Sequence, residues 1–260
     1  MKKIIGVISV AIFVLGMTSC QKKSVVVINS AADLEGKKIG CQAGTTGELY
    51  LQESVKDAKI KSFKTGIDAS LDLKNGAIDA IVLDELPAKE IVSRNPDLTI
   101  VNDNFMTESY AIAVKKGNTE LLESINKTIA DLKSSGKYEE LIKAFMPVDG
   151  NIVIPEIEDI DSENVVKMGT NAAFPPFEFI LGTDIVGFDV SMGKMIANDY
   201  GKKLKVIDMA FDGLIAALQS GAIDFIAAGM TATEERRQNV DFSESYYESN
   251  QVIIVRKPVQ

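Results

Sequence analysis

LKNGAIDAIVLD, from Leu73 to Asp84, returns as LQSGAIDFIAAG from Leu218 to Gly229. Each copy has a Leu, two polar residues, Gly-Ala-Ile-Asp and a short apolar run, and one ends on an acid where the other ends on a glycine. The glycine reads as the stop of a helix, and Ile-Asp as the entry to a buried strand. The flanking sequence alternates in the same way. KKIGCQ reads as a strand, GTTG as a loop and ELYLQESVKD as a helix; DASLDLKNG is a helix ending at Gly76, with IDAIVL the next strand. In the second half VVKMGT is a strand, and DVSMGKMIANDYG is a helix capped by Asp189 and closed by Gly201. KLKVIDM is a strand, FDGLIAALQSG a helix and IDFIAAG a strand. This alternation predicts an α/β fold of parallel sheets with right-handed crossovers. Between the halves, NTELLESINKTIADLKSSG and KYEELIKAF read as helices and PVDGNIVIPEIEDIDSEN as a linker rich in acids and turn formers.

In open α/β sheets, ligands bind beyond the carboxyl ends of the strands. The repeated phrase therefore places chemistry at Leu83-Asp84 in one copy and at Gly229-Met230-Thr231 in the other. Two such sheets predict two lobes whose strand ends face one another across a cleft, one lobe supplying an acid and the other open backbone. The plainer alternative is a repeated βαβ unit with no shared site. GTTG sets Gly44, Thr45, Thr46 and Gly47 at a helix start, where free N–H groups favour an anion. It lacks the Lys of a P-loop, and the chain has no G-x-G-x-x-G, so nucleotide binding has weak support. TATEERR puts Arg236 on the first turns of a helix after the Gly229 strand, in reach of the cleft as a carboxylate clamp. A lone Arg at such a position is more ordinarily a solvated surface charge. NAAFPPFEF is a stiff loop after a strand, and its aromatics either wall an apolar pocket or fill the core. One carboxylate, one guanidinium, an anion-accepting turn and aromatic walls together complement a zwitterionic amino acid. No nucleophile paired with a base accompanies them.

Composition narrows the classes further. The 260 residues can hold one large domain or two ordinary ones, and 46% hydrophobic with 25% charged residues is ordinary globular composition. A net charge of −9 and a pI near 4.8 disfavour nucleic acid or an anionic membrane surface as partner. The chain has no His and two Cys, so the commonest general base, a disulfide framework and a zinc cluster are all out of reach. No cofactor and no metal is expected. Cys41, in KKIGCQ, reads as a buried free thiol. At the N-terminus, Lys2 and Lys3 precede the apolar run IIGVISVAIFVLG, which is too short for a typical membrane span and reads as an export signal over residues 1–19. Thr18-Ser19-Cys20 resembles a bacterial lipobox, with Met17 where that pattern usually has Leu. Cys20 would then carry a lipid anchor to the membrane, with residues 20–24 as a tether; a plain signal peptide is the alternative.

KMGTNAAFPPFEF, VGFDVSMGKMIA, FDGLIAALQSGAIDFIAAGMTATEERRQNVDFSESYY and QVIIVRK resemble the first lobe of the polar amino-acid-binding proteins of bacterial ABC importers (solute-binding protein family 3). ADLEGKKIGCQAGTTGE, GAIDAIVLDELPA and the stretch from ESYAIAVKKGN to GKYEELIKAF resemble the second lobe and C-terminal helices of the same family. The resemblance implies a two-lobed, type II periplasmic-binding-protein-like fold, each lobe a mostly parallel sheet flanked by helices. The blocks stand in reversed order, which implies a circular permutation opened after QVIIVRK. On that reading the second lobe spans 25–107, a hinge strand and returning helices 108–146, a linker joining the usual termini 147–164, and the first lobe with a C-terminal hinge strand 165–260. The SYAIAVKK strand is then the clear covalent join between lobes, and QVIIVRK would pack at the hinge as a free end.

The resemblance also implies roles. Arg236 pairs with a ligand α-carboxylate, helped by Thr231 and Thr46; Asp84 takes the α-amino group, with the Gly229 carbonyl as second acceptor. Phe174 and Phe211 sandwich the ligand, and Asn171 and Gln42 line its side-chain end. Because Asn171 is neutral where members that bind cationic side chains commonly have a carboxylate, a strictly cationic ligand is disfavoured unless Glu178 substitutes. The expected ligand is a polar or basic amino acid, the expected partner an ABC permease in the cytoplasmic membrane, and the expected state a monomer held at the cell envelope. Two other classes compete: an enzyme resembling cyclohexadienyl dehydratases, which needs an acid to protonate a leaving hydroxyl, and a sensory module acting through a receptor.

Overall fold

The computed structural model describes residues 26–148 and 150–258; the expected export signal and Cys20 lie outside them. A 3-10 turn at Ala31–Leu34 leads into β1 (Lys38–Gln42), α1 (Thr46–Ser54), β2 (Lys59–Phe63), α2 (Gly66–Lys74), β3 (Ala80–Asp84) and α3 (Glu85–Arg94). A long strand β4 (Leu98–Tyr110) is followed by β5 (Ala113–Lys115), α4 (Thr119–Ser135) and α5 (Lys137–Phe145). After the linker come β6 (Val165–Thr170), a small meander of β7 (Ala173–Phe174), β8 (Glu178–Leu181) and β9 (Asp184–Val186), then α6 (Phe188–Asp199) and β10 (Lys203–Asp208). A 3-10 turn at Phe211–Gly213, α7 (Leu214–Ser220), β11 (Phe225–Ile226), α8 (Glu234–Arg237), β12 (Val240–Phe242) and β13 (Tyr247–Arg256) complete the chain.

Two five-stranded sheets share one plan. The first runs β2-β1-β3-β13-β4 and the second β10-β6-β11-β5-β12. In each, the first three strands are parallel and the last two join antiparallel. Each sheet is therefore mostly parallel, as expected, with a single strand running against the rest: β13 in the first and β5 in the second. The reversed strand is in each case the one that enters from the other sheet, β13 after the second crossing and β5 after the first, whereas the leaving strands β4 and β12 run with the parallel set.

The repeated phrase has a structural meaning in this plan. The Lys38 N–H donates to the Asp79 carboxylate (3.0 Å) and its C=O accepts from the Asp79 N–H (2.7 Å). In the second sheet the Lys167 N–H donates to Asp224 (2.7 Å) and its C=O accepts from the Asp224 N–H (2.8 Å). Each Gly-Ala-Ile-Asp thus locks the start of one strand to its parallel neighbour. The Ile before the Asp fills the gap left by a glycine in that neighbour. A Cβ at Gly40 would lie 2.6 Å from Ile78 Cδ1, and one at Gly169 would lie 2.3 Å from Ile223 Cδ1. Both isoleucines are 1% exposed. Lys-x-Gly in KKIGCQ and VVKMGT is the other half of each repeat.

The chain crosses between sheets at 111–112 and at 243–246. QVIIVRK does not pack as a free hinge end: β13 lies between β3 and β4, and its residues from Gln251 to Ile254 are buried. Four consecutive buried residues need partners on both edges and both faces, which only an interior strand provides. The two crossings lie side by side, with Tyr246 N–H donating to Tyr110 C=O (2.9 Å) and Ser243 N–H to Ile112 C=O (2.9 Å). Among its described residues the linker has no helix or strand, but it is tied to α6, where the Asn198 side chain donates to Glu158 C=O (2.8 Å) and accepts from Ile160 N–H (3.3 Å).

Two local readings are corrected. Asp189 does not cap α6; the N-cap is Gly187, and Asp189 sits in the first turn, fully buried, where its carboxylate is drawn to partners inside the lobe. The strand expected over IDFIAAG is confined to Phe225–Ile226, because Ala227 onward bends toward the cleft. Cys41 is buried, and burial together with the charge of Glu48 pushes its thiol up to about 12.

Candidate functional site

The carboxyl ends of β1 and β3 face those of β6 and β11 across a narrow cleft whose free volume is about 10 Å³. All nine residues singled out in the sequence line it: Gln42, Thr46 and Asp84 from the first sheet's side, and Asn171, Phe174, Phe211, Gly229, Thr231 and Arg236 from the second. Thr45, Glu108 and Ala228 line it as well. A larger groove between α4, α5, α6 and the linker touches none of the strand ends.

Arg236 is held by α8, whose N-cap Thr233 accepts from the Arg236 N–H (3.2 Å). Its guanidinium donates to Thr231 C=O and, across the cleft, to Gly44 C=O, both at 2.8 Å. It lies 5.4 Å from the centre of the Phe211 ring, a cation–π distance. The residue is 8% exposed, and among the described residues no carboxylate forms a salt bridge with it. Burial lowers its pKa from the ordinary value, opposed by the negative charges of Glu108, Glu235 and Asp84. A buried guanidinium bonded to neutral carbonyls alone has electrostatic capacity left for an anion.

The acids stand opposite. Asp84 ends β3, is 5% exposed and accepts from the Tyr110 hydroxyl at 2.5 Å. Burial and the neighbouring Glu108 push its pKa well above the usual carboxylate range. Glu108, on β4, is equally buried; its Oε2 accepts from Thr231 Oγ1 and Gln251 Nε2, both at 3.2 Å. Glu108 and Tyr110 were not foreseen. Their signal is the alternation Glu-x-Tyr at the entry to an apolar crossing strand, which turns both side chains to one face.

The remaining walls are neutral. Gln42 donates to Asn171 Oδ1 (2.9 Å) across the cleft, and Asn171 donates in turn to Met209 C=O (2.9 Å). Gly229 has φ +54, and a Cβ there would lie 2.7 Å from Phe174 Cε1, so the glycine lets the aromatic wall close on the backbone. Phe174 and Phe177 divide the two readings of their loop. Phe174 lines the cavity, whereas Phe177 is fully buried, with ring centres 4.9 Å from Tyr247 and 5.2 Å from Tyr110 at the crossings. The anion-accepting turn at GTTG is partly taken, since Gly44 N–H already donates to Glu48 (2.7 Å).

Glu178 does not reach the cavity. It is fully buried inside the lobe built on the second sheet, beside Asp189, and Asp189 accepts from Gly229 N–H (2.9 Å) and the Tyr246 hydroxyl (2.6 Å). Burial, then the charge of Asp189, push the Glu178 pKa well up; burial pushes Asp189 up to about 6. Acids with raised folded pKa values bind more protons folded than unfolded, so their stabilisation is complete below about pH 4 and is lost as pH rises through the folded values. The unfolding free energy should therefore fall between pH 5 and 8. In Glu178→Gln, whose amide donates to Asp189 at any pH, that fall should shrink by about 1 kcal/mol or more. Urea melts at both pH values test this, and equal falls in the two chains would contradict it.

Residues 166–260 match the family described as bacterial extracellular solute-binding proteins, family 3. The chain is 47% identical over 90 residues to the arginine-binding extracellular protein ArtP of Bacillus subtilis, covering 35% of each chain. It is 34% identical over 121 residues to the ABC transporter arginine-binding protein 1 of Escherichia coli, covering 45% of this chain and 50% of that one. Against the L-cystine-binding protein TcyJ of Escherichia coli it is 32% identical over 123 residues, covering 47% and 46%. The chain thus spans between about a third and a half of the length of these relatives. Among solved structures, the arginine-bound form of domain 1 from TmArgBP is 44% identical, with 39% of this chain and 87% of that one covered at a TM-score of 0.32.

Proposed function

We propose that this chain, which over residues 166–260 belongs to the bacterial extracellular solute-binding proteins of family 3, captures a polar or basic L-amino acid between its lobes and delivers it to an ABC permease. One observation carries the reading: a buried guanidinium with no carboxylate partner among the described residues faces two buried carboxyls across a small aromatic-walled cavity. Such a site is uncompensated at both ends, and the two charged ends of one amino acid compensate it. The relatives named for arginine and cystine support an amino-acid ligand. The neutral Gln42–Asn171 wall favours a side chain that hydrogen-bonds over one that must be cationic.

Export with Cys20 as lipid anchor, and a permuted order of the two halves joined through residues 147–164, belong to the same proposal. The shared sheet plan and the family match confined to the C-terminal portion support the permuted order. A dehydratase reading gains one candidate acid in the raised pKa of Asp84; turnover of prephenate or arogenate would decide for it.

The direct test is a thermal-shift screen of the twenty amino acids with ornithine, citrulline and cystine. An amino acid at 100 times its dissociation constant adds ~2.7 kcal/mol of stability. At least one polar or basic amino acid should raise the melting temperature by several degrees, and a flat response across the panel would refute capture.

A further inference from the structure

Asp84, Gln251 and Glu108 come from three adjacent strands of the first sheet: Gln251 is paired in register with Asp84 on one side, and β13 pairs with β4, which carries Glu108, on the other. They therefore form one ledge whose geometry does not depend on how the lobes are placed. The two oxygens of Glu108 have different surroundings. Oε2 accepts from Thr231 and Gln251, whereas Oε1 is buried with no hydrogen-bond partner among the described residues. Asp84 and Glu108 line the same cavity from the two strands that flank β13, close enough for the Glu108 charge to push the Asp84 pKa up. A hydrogen bond between two carboxyl groups requires one proton, because ionised carboxylates only accept.

We propose that Glu108 is a second acceptor for the ligand ammonium, forming with Asp84 a carboxyl pair that holds one proton when the cleft is empty and releases it to solvent when an ammonium enters. This rests on the amino-acid-capture reading above. The exchange balances: the pair goes from one negative charge to two as the proton leaves, and the ammonium supplies one positive charge, so the ledge keeps its net charge. The ammonium also brings three N–H donors, enough for Asp84 and for the unpartnered Oε1. The surroundings make the proton necessary in the empty state. Like charges this close in a buried site do not both ionise, and the raised pKa of Asp84 agrees with that. Other groups act on the pair: the Tyr110 hydroxyl on β4 and neutral Gln251 on β13 from the same lobe, and from the other lobe Arg236, already shared with two carbonyls, and buried Glu178.

Titration calorimetry with L-arginine, run at pH 7 in phosphate and in imidazole, counts protons exchanged through the difference in buffer ionisation heats. About one proton should be released per L-arginine bound, and affinity should rise by up to tenfold per pH unit between pH 5 and 7. Glu108→Gln should release close to none and bind roughly 10- to 100-fold more weakly at pH 8, as expected for a lost charged hydrogen bond. Glu108→Asp should restore part of both. Equal release in the Gln chain and the unmodified chain overturns the proposal. A ligand-free comparison separates this outcome from a failure of arginine capture. The melting temperature of Glu108→Gln relative to the unmodified chain should rise steadily from pH 5 to pH 8, because the folded unmodified pair keeps a proton that its unfolded chain gives up, and that stabilisation is lost as pH rises. A pH-independent difference overturns the carboxyl pair, even if L-arginine does not bind at all.

Discussion

Arg236→Met and Asp84→Asn should each weaken amino-acid binding by roughly 100- to 5,000-fold, on the order of 3–5 kcal/mol. Each removes one partner of a charge pair that is desolvated once the cleft is occupied, and the ligand charge left behind is buried without compensation. Arg236 has a second task, since its bond to Gly44 C=O spans the cleft, so its loss also loosens the closed arrangement. Calorimetry against the best amino acid from the thermal screen measures the effect. The α-amide of that amino acid supplies the control: it should bind poorly to the unmodified chain and suffer little further loss in Arg236→Met, because the carboxylate that Arg236 would meet is already gone. Melting curves without ligand should show that both variants remain folded. If Asp84→Asn binds within threefold of the unmodified chain, the clamp is wrong.

The second large effect concerns stability. Ile223→Ala and Ile78→Ala should each cost about 2–5 kcal/mol in urea unfolding, the range for emptying a fully buried aliphatic site. Both side chains fill the space that a glycine leaves in the neighbouring strand, and the backbone cannot collapse inward there because Asp224 and Asp79 hold the strands in register. The reverse change is milder. Gly169→Ala brings a methyl group against the Cδ1 tip of Ile223, which can shift, so about 1–3 kcal/mol is expected, with coupling to Ile223→Val of about 0.5–3 kcal/mol. A loss below 1 kcal/mol for Ile223→Ala would mean that the repeated phrase is not an interlock.

Much of the site was legible because strand ends, Gly stops and charged residues are local features. Asp84 ends a strand whose apolar run stops at an acid, and Gly229 follows the same run in the second copy. Arg236 was harder, since a lone Arg after a turn is usually solvated, and its burial comes from Phe211 and from Gly44 of the other lobe. Glu178 illustrates the opposite limit. Its position beside an aromatic loop left its direction open, and the fold buries it inside the lobe beside Asp189.

The alternation of strands and helices, the two sheets and the candidates at the strand ends are readable along the chain, because period, glycine stops and residue chemistry act over a few neighbouring residues. That β13 is an interior strand of the first sheet, that Glu108 joins Asp84 on one ledge and that Glu178 is withdrawn from the cavity emerges with the packed fold. Those facts depend on pairing between residues more than a hundred positions apart, such as Glu108 with Ser249, and on which face of a strand the register turns inward. A one-residue shift in that register would reverse every side chain, and no local pattern in the chain specifies it.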